Sequence, residues 1–334
     1  MRLMPQNQAG LRAGVAVALG CALGAFVLVS ATSSHPPHTD WDQIYTGARV
    51  FFGGGDPYAT VRHDHYPSYY PATAFLVAAP LTLLPFIWAQ AAWAGLGTWA
   101  FAWAMTRRGA WGLLALASAP FLNAVLLGQW SPLLVGAAAI PWLAVVWAAK
   151  PTIGAALFVA YPSRLALAIG VGLVALSLVV RPDWPVHWLD VVRVGPHLRA
   201  PITRPGGVLL LLGLLRWRTA EGRLIAALSL VPQTTMAYEV LPLFLIPRSA
   251  RQMAALVVLS QLAFVVAVSL PGVDPAHDLA GTLTRQWPVW LVACYLPALA
   301  FVLRSPLAPR LSADLEPRAP ATGAALPETR PGVS

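Results

Sequence analysis

The chain has 334 residues, of which 57% are hydrophobic and only 10% are charged. Ordinary soluble domains carry about 25% charged residues and about 45–50% apolar ones, so this composition excludes that class and predicts a polytopic membrane protein. The net charge of +9 does not indicate nucleic acid, because arginines retained in cytoplasmic loops explain it in a membrane protein. Cys21 and Cys294 lie in apolar runs, so no disulfide framework is visible.

The first apolar run, residues 11–29, begins beside Arg2 and Arg12 and ends at Val29-Ser-Ala31, which resembles a signal-peptidase site. This run can therefore be interpreted as a cleaved signal peptide. A retained signal-anchor is favoured, because the run is longer than a usual signal-peptide core and many further apolar runs follow it.

Apolar runs broken by Pro, Gly and charge predict a series of helices along the chain. The predicted ranges are 12–30, 71–86, 88–105, 110–127, 131–148, 151–162, 164–180, 206–217, 222–233, 238–247, 252–270 and 287–303. Four of them, 151–162, 206–217, 222–233 and 238–247, are short enough to be half-helices or re-entrant segments. We expect an all-α bundle of about 10–12 transmembrane helices over residues 1–304. The Pro/Ala-rich segment 305–334 is expected to be a disordered cytoplasmic tail.

The distribution of arginine predicts the orientation in the cell membrane. Arg2 and Arg12 place the N-terminus in the cytoplasm, and an even number of spans places the C-terminus there too. Further cytoplasmic turns carry Arg216, Arg218, Arg223, Arg248, Arg251 and Arg304. Arg107-Arg108 does not fit, since a twelve-span count puts it outside. Either an early hairpin is misassigned or this pair functions on the outer face.

Two outer loops contain apolar as well as polar residues. Apolar positions in residues 41–52 fall on one helical face, which predicts an amphipathic helix lying along the membrane. The second loop, 181–205, contains Trp184 and Trp188, which are predicted to be anchors at the membrane interface.

Asp40 and Asp42 come at the start of that amphipathic helix. Acids beside a hydrophobic bundle favour a functional interpretation, here a general base that activates a hydroxyl nucleophile. The structural alternative is that Asp40 caps the helix N-terminus, a position that aspartate favours.

Three further charged residues are candidate ligands for a substrate. Lys150 is the only lysine in the chain and either binds a phosphate as a point charge or snorkels at a helix end. Arg49 either meets the same phosphate or anchors the loop. Glu239 lies in a polar hairpin and is either a dipole-favoured acid in a first helical turn or a ligand of a sugar hydroxyl.

The segment His63-Asp64-His65 offers two imidazoles and a carboxylate to a divalent metal. No third partner is fixed by the sequence, so a hydrated loop is the default. We expect no metal site and no cofactor.

Several segments, in order along the chain, resemble glycosyltransferase family 87, the polyprenyl-phosphate-mannose-dependent mannosyltransferase-like proteins. The matching segments are Asp40-Trp-x-x-Ile-Tyr45-x-Gly-Ala48, Gly54-Gly-Asp56-Pro57-Tyr58, Tyr66-Pro67-x-x-Tyr70-Pro71, Ala79-Pro80-Leu-x-Leu-Leu-Pro85, Gly128-Gln129, Lys150-Pro151 and the hairpin from Pro232 to Pro242. Together they cover residues 38–242. The chain departs from the family in having Ala237-Tyr238-Glu239 where mannosyltransferase members often carry a His pair.

The resemblance implies a GT-C-like fold with the active site on the outer membrane face. It implies Asp40 as the catalytic base, with Asp42 next in line. We further expect Lys150 and Arg49 to bind the donor phosphate, and Tyr45, Tyr58, Tyr70, Gln233, Tyr238 and Glu239 to bind substrate.

The hypothesis is an inverting glycosyltransferase that moves a mannose-like hexose or another sugar from a polyprenyl-phosphate donor. The acceptor is a hydroxyl of a glycolipid, polysaccharide or protein. The alternatives are a transporter of polyprenyl-linked sugars or lipids, and a catalytically degenerate scaffold of the same fold. Broken helices are common to these classes, whereas inverted internal repeats, which favour a transporter, are not visible in the sequence.

Overall fold

A computed structural model describes residues 7–33, 39–63, 66–194, 198–233, 237–274 and 277–305. Within these residues the fold is helical, and its one β-structure is a two-residue antiparallel pair, Arg62–His63 with Tyr66–Pro67. Residues Met1–Arg304 form one compact unit. The predicted tail, apart from Ser305, lies outside the described residues.

The α-helices are α1 Asn7–Ser33, α2 Asp40–Phe52, α3 Pro57–Thr60, α4 Ala72–Ala78, α5 Phe86–Met105, α6 Ala119–Leu126, α7 Ser131–Ala137, α8 Val145–Ala149, α9 Pro151–Ala160, α10 Arg164–Val180, α11 Trp184–Val194, α12 Ala220–Leu230, α13 Ala250–Ser269, α14 Leu279–Trp290 and α15 Leu296–Arg304. The 3-10 segments are Ala79–Leu83, Thr106–Arg108, Ala110–Ala117, Pro141–Ala144, Pro201–Thr203, Gly207–Arg216 and Ala237–Leu245, and a π-helical turn covers Leu291–Tyr295.

Within the described part of the chain, three helical stretches are long and apolar enough to cross a membrane, namely Ala9–Thr32, Ala250–Ser269 and Leu279–Arg304. The number rises to five if each of two bent pairs counts as one span. These helices confirm an all-α membrane protein. The described residues contain fewer full-length spans than the predicted set of about 10–12 transmembrane helices, because Pro and Gly break many apolar runs into shorter pieces. A ten-residue α-helix such as Pro151–Ala160 covers only about half of a hydrocarbon core of about 30 Å.

Arginines gather where several helices end. Arg12 donates to the Trp103 carbonyl at 3.2 Å and Arg216 to that of Leu303 at 2.7 Å. Arg223 donates to the Ala160 carbonyl at 2.9 Å. Each acceptor lies in the last turn of its helix, where carbonyls lack intrahelical partners and the helix dipole favours a cation. We call this region the arginine end; its members are Arg12, Arg107, Arg108, Arg216, Arg218, Arg223 and Arg248.

Arg108 belongs to the arginine end, whereas a twelve-span count would put it on the opposite side. Its guanidinium donates to the Leu245 carbonyl at 2.8 Å and forms a 2.8 Å ion pair with Glu221. Arg248 binds the other oxygen of Glu221 at 3.2 Å. The turns that were predicted to be cytoplasmic therefore hold Arg108.

A misassigned early hairpin explains the error. Residues 71–86 were predicted to form a separate span, but Ala72–Leu83 meets the following helix at a bend of 117°. The Tyr45 hydroxyl, on α2, donates to the Leu84 carbonyl at 2.9 Å. The segment therefore ends beside the first loop, and α5 alone continues to the arginine end.

Helix α2 is amphipathic as predicted, but its apolar face packs on protein. Trp41, Ile44 and Ala48 are completely buried. The Tyr45 ring packs edge-on against Phe86, with ring centroids 5.2 Å apart. We call the region around the start of α2 the aspartate end.

The second loop packs on the first. The indole of Trp188 donates to the Tyr69 carbonyl at 2.9 Å and that of Trp184 to the Ser177 hydroxyl at 3.1 Å. His187 lies 2.7 Å from the carboxylate of Asp56. The two tryptophans, predicted to be membrane anchors, therefore hold protein segments together.

Helices α1 and α5 pack closely through small residues, a common arrangement between membrane helices. A β-carbon at Gly20 would lie 2.8 Å from the Gly95 carbonyl, and one at Gly24 would lie 3.0 Å from that of Ala91. These glycines set the distance between the two helices.

Gly20→Leu should lower the free energy of unfolding by about 1–3 kcal/mol, because the new side chain would push α5 away. Gly14→Leu, on the same helix, is the control, since nothing lies within 4 Å of a β-carbon there. Thermal unfolding in detergent measures both. Equal melting temperatures for the two variants would contradict the close packing.

Glu221 makes stability depend on pH. Burial raises the pKa of Glu221, but a main-chain hydrogen bond and the Arg108 and Arg248 cations outweigh burial, so the pKa lies below its usual value. Glu221 therefore stabilises the fold above the unfolded-state pKa, and this contribution is lost as the pH falls through the folded-state pKa. Glu221→Gln should lower the melting temperature at pH 7 and flatten its decline toward pH 4. Parallel curves for wild type and variant would contradict this role.

Candidate functional site

The Asp40 carboxylate does not cap helix α2. Thr39 is the N-cap residue, and the side chain of Asp42 accepts a hydrogen bond from the Thr39 main-chain N–H at 3.2 Å. The Asp40 side chain instead accepts a hydrogen bond from the side-chain amide of Gln129. The capping alternative for Asp40 is therefore wrong, and Asp42 has the structural role.

A tight turn between α6 and α7 brings Gln129 to Asp40. The Asp40 N–H donates to the Leu127 carbonyl at 3.0 Å, which joins the start of α2 to this turn. Gly128 has φ +66°, and a β-carbon there would lie 2.7 Å from the Trp41 β-carbon. A glycine is thus required for both its conformation and its size.

Aromatic rings support this turn. Trp41 stacks on Trp93, and Trp93 meets Trp130 edge-on, both with ring centroids 4.6 Å apart. The Trp93 indole donates to the Gly128 carbonyl at 3.0 Å. Tyr70 lies beyond Trp130, with a centroid distance of 6.4 Å. Ring packing of this kind fixes the position of the Asp40–Gln129 contact.

Lys150 and Glu239 form a second polar contact. Their charged atoms are 2.8 Å apart, and the side chains are 13% and 2% exposed. The ammonium also lies 4.9 Å from the centre of the Tyr238 ring, a cation–π distance. Lys150 lies at the break between α8 and α9, and Glu239 in the first turn of Ala237–Leu245. Lys150 therefore forms an ion pair inside the protein and does not snorkel at a helix end, while its binding of a phosphate stays a prediction.

Tyr70 connects the two contacts. Its pKa is raised well above the usual value, first by burial and then by the nearby groups Asp40, Tyr238 and Glu239. The hydroxyl therefore stays protonated and available as a hydrogen-bond donor over the physiological pH range. These groups act on one phenol, so they share one region. We call it the Asp40 cluster; its members are Asp40, Tyr70, Gln129, Lys150, Tyr238 and Glu239.

Polar atoms beside the cluster lack hydrogen-bond partners among the described residues. They are Gln129 Oε1, Trp130 Nε1 and Ser131 Oγ, in three consecutive residues, and Ser68 Oγ. A buried polar atom without a partner costs free energy, and in native proteins such atoms concentrate where water or a ligand binds. The cluster can thus offer a carboxylate, a neutral phenol, an ammonium and several amide, indole and hydroxyl groups.

The other predicted site residues lie in different surroundings. Arg49 is exposed, with its guanidinium 5.9 Å from the Tyr45 ring centre, and is about 13 Å from Asp40 along α2. Tyr58 is buried against Phe75, and burial is the main reason that its pKa is raised. Gln233 donates to the Leu228 carbonyl and accepts from the Tyr295 hydroxyl at 2.6 Å.

Sequence reasoning did not assign a role to Gln129, Trp93 or Trp130. The Gly128-Gln129 pair was noticed only as part of the family resemblance. The signal that could have identified Gln129 is a lone amide after a glycine between two apolar runs.

No group of three His, Cys, Asp or Glu side chains that could hold a metal occurs in the described part of the chain. In the segment His63-Asp64-His65, which was considered for metal binding, Asp64, His65 and the side chain of His63 lie outside the described residues.

Comparison with known proteins gives no relative. No family model, no curated protein and no solved structure matches this chain.

Gly128→Ala should destabilise the protein more than Gly54→Ala. Both glycines have positive φ, so both substitutions cost about 1 kcal/mol of backbone strain. Only at Gly128 does the new methyl group also meet Trp41, since nothing lies within 4 Å at Gly54. Thermal unfolding compares them, and equal losses would show that the Trp41 contact is not close.

Proposed function

We propose that the chain is a membrane-embedded inverting glycosyltransferase that transfers a sugar from a polyprenyl-phosphate donor to a hydroxyl acceptor on the outer membrane face. The observation that supports it best is the Asp40 cluster itself. In a protein with 10% charged residues, its only lysine, two acids and a neutral phenol come together from four separate segments. Buried charges of this kind in a membrane protein favour a functional role.

Asp40 is the general base in this proposal. The acceptor O–H gives its proton to the carboxylate while the oxygen attacks the anomeric carbon. The bond between that carbon and the phosphate oxygen breaks, and the lipid phosphate leaves with the electron pair. A base must be held within hydrogen-bond distance of the proton that it removes. The Gln129 amide provides this orientation by its hydrogen bond to Asp40.

Lys150 and Tyr70 stabilise the departing phosphate. Negative charge builds on the leaving oxygen in the transition state, where a fixed ammonium and a phenol donor are most effective. Glu239 holds Lys150 in place at 2.8 Å. Together with Tyr238, it supplies acceptor or apolar contacts for the sugar. Four of the predicted site residues have their contacts outside the Asp40 cluster and take no chemical step in this mechanism: Tyr45, Arg49, Tyr58 and Gln233.

The ordered resemblance to glycosyltransferase family 87 supports the same class and a GT-C-like fold. The broken helices are the feature that supports the transporter alternative, since two pairs of consecutive helices are bent by 117° and 103° at a short break. Helix breaks also position Lys150 and Glu239, however, so they do not separate the two classes. The enzyme is favoured because Asp40 contacts a side-chain amide within a polar cluster and does not cap the helix.

Asp40→Asn should reduce sugar transfer by about 100-fold or more, the usual contribution of a general base. Transfer from polyprenyl-phosphate-linked sugars is measured with the full chain in reconstituted membranes. Asp42→Asn is the matched control, because it removes the same charge while its amide oxygen still accepts from Thr39.

Equal rates in wild type and Asp40→Asn would refute the base role and direct attention to Glu239. Donor binding without transfer, for every donor tested with the wild type, would refute the enzyme and favour the transporter or scaffold.

A further inference from the structure

A cleft opens at the arginine end, remote from the groups used in the proposed reaction. Its cavity volume is about 110 Å³, and it opens to solvent. Its apolar walls include Met105, Trp111 and Met253, and its polar lining includes Arg107, Arg108 and Tyr161. The cleft thus combines a cationic rim with an apolar interior.

The two arginines at the cleft differ in what they bind. Arg108 is occupied, because it binds Glu221 and the carbonyls of Leu245 and Pro247. The Arg107 side chain forms no hydrogen bond and no ion pair within the described ranges, and its charge is repelled by Arg12. An exposed guanidinium with a like charge beside it is a favourable place for an anion.

Tyr161 adds a neutral donor to this lining. Its hydroxyl is buried and has no hydrogen-bond partner among the residues that the structure describes. Burial is the main reason that its pKa is raised to about 12, so the hydroxyl keeps its proton at pH 7. A buried hydroxyl without a partner indicates a missing acceptor.

We propose that the cleft binds an anionic phospholipid of the membrane. Arg107 and the Tyr161 hydroxyl bind its phosphate inside the cleft, and an acyl chain leaves the cleft past the half-buried Trp111. The occupant follows from charge complementarity: arginine-rich ends of membrane proteins face the cytoplasmic leaflet, which carries the anionic lipids. Basic pockets between membrane helices bind such head groups.

The lipid would join segments that are distant in the sequence. The cleft is lined by the end of α5, by Tyr161 after α9, and by the Phe244–Met253 region. Binding to the folded state alone stabilises a protein by mass action. The site therefore acts as a structural lipid site, and it does not depend on the proposed transfer reaction.

The test uses the purified full-length protein in neutral detergent, with phosphatidylglycerol added and bound lipid counted by native mass spectrometry. Wild type should retain phosphatidylglycerol in preference to phosphatidylcholine and melt at a higher temperature with it. Arg107→Gln and Tyr161→Phe should each weaken binding roughly fivefold or more. Arg218→Gln is the control, since Arg218 lies at the same end beside Trp217, 5.8 Å from its ring centre, and does not line the cleft.

Three results would overturn the proposal. An equal loss of bound phosphatidylglycerol in Arg218→Gln would show that the lipid is attracted by the general positive charge of this end and not by a specific site. Equal retention of phosphatidylcholine would show that only the apolar walls matter. The same thermal stabilisation by inorganic phosphate alone would show a free-phosphate site. Because none of these measurements involves sugar transfer, their failure is distinguishable from failure of the proposed enzyme.

Discussion

The rest of the structure depends on one constraint, the cost of burying an unpaired charge, and the ion pair between Lys150 and Glu239 is an example of how it is met. A charge removed from water is costly unless an opposite charge and hydrogen bonds replace its hydration. Lys150 is 13% exposed and Glu239 only 2%, and their charged atoms lie 2.8 Å apart, so each side chain replaces part of the other's lost hydration. The same constraint operates at the arginine end, where guanidiniums bind Glu221 and the free carbonyls at helix ends. The Asp40 cluster and the arginine end thus each contain charges that are paired inside the protein.

Helix breaks make these pairings possible. A continuous α-helix satisfies its own backbone and offers polar groups only at its ends. Lys150 lies between α8 and α9, Gln129 follows the end of α6, and Glu239 begins a 3-10 segment. The interruptions that shorten the apolar runs below a full span thus also present polar side chains within the protein. Irregular backbone at membrane depth is tolerated where protein surrounds it or where it lines a cavity.

Periodicity and composition were sufficient to predict the helical class, helix 41–52 and the individual residues Asp40, Lys150 and Glu239. Their pairing could not be predicted, because the Asp40–Gln129 contact joins residues 89 positions apart and depends on how the helices pack. Hydropathy also failed at residues 71–86, since an apolar run that turns back has the same composition as one that crosses. The internal contacts of Trp184 and Trp188 could not be predicted for a similar reason: an indole at an interface and an indole packed on a neighbouring loop look identical in sequence.

The charge balance of the Asp40 cluster bears on the proposed reaction. With Asp40 and Glu239 ionised, Lys150 is the single cation to balance two acids, so a phosphate must compete with Glu239 for the ammonium. Competition with Glu239 weakens the contact between Lys150 and a bound phosphate in the ground state. An interaction accelerates a reaction only when it strengthens in the transition state, so this arrangement favours a departing phosphate over a tightly bound one. A lipid phosphate gains charge as the glycosidic bond breaks, and at that moment it would draw Lys150 most strongly. The neutral Tyr70 hydroxyl adds a hydrogen-bond donor for the departing phosphate without adding charge. This matters because each further buried ion would cost desolvation free energy.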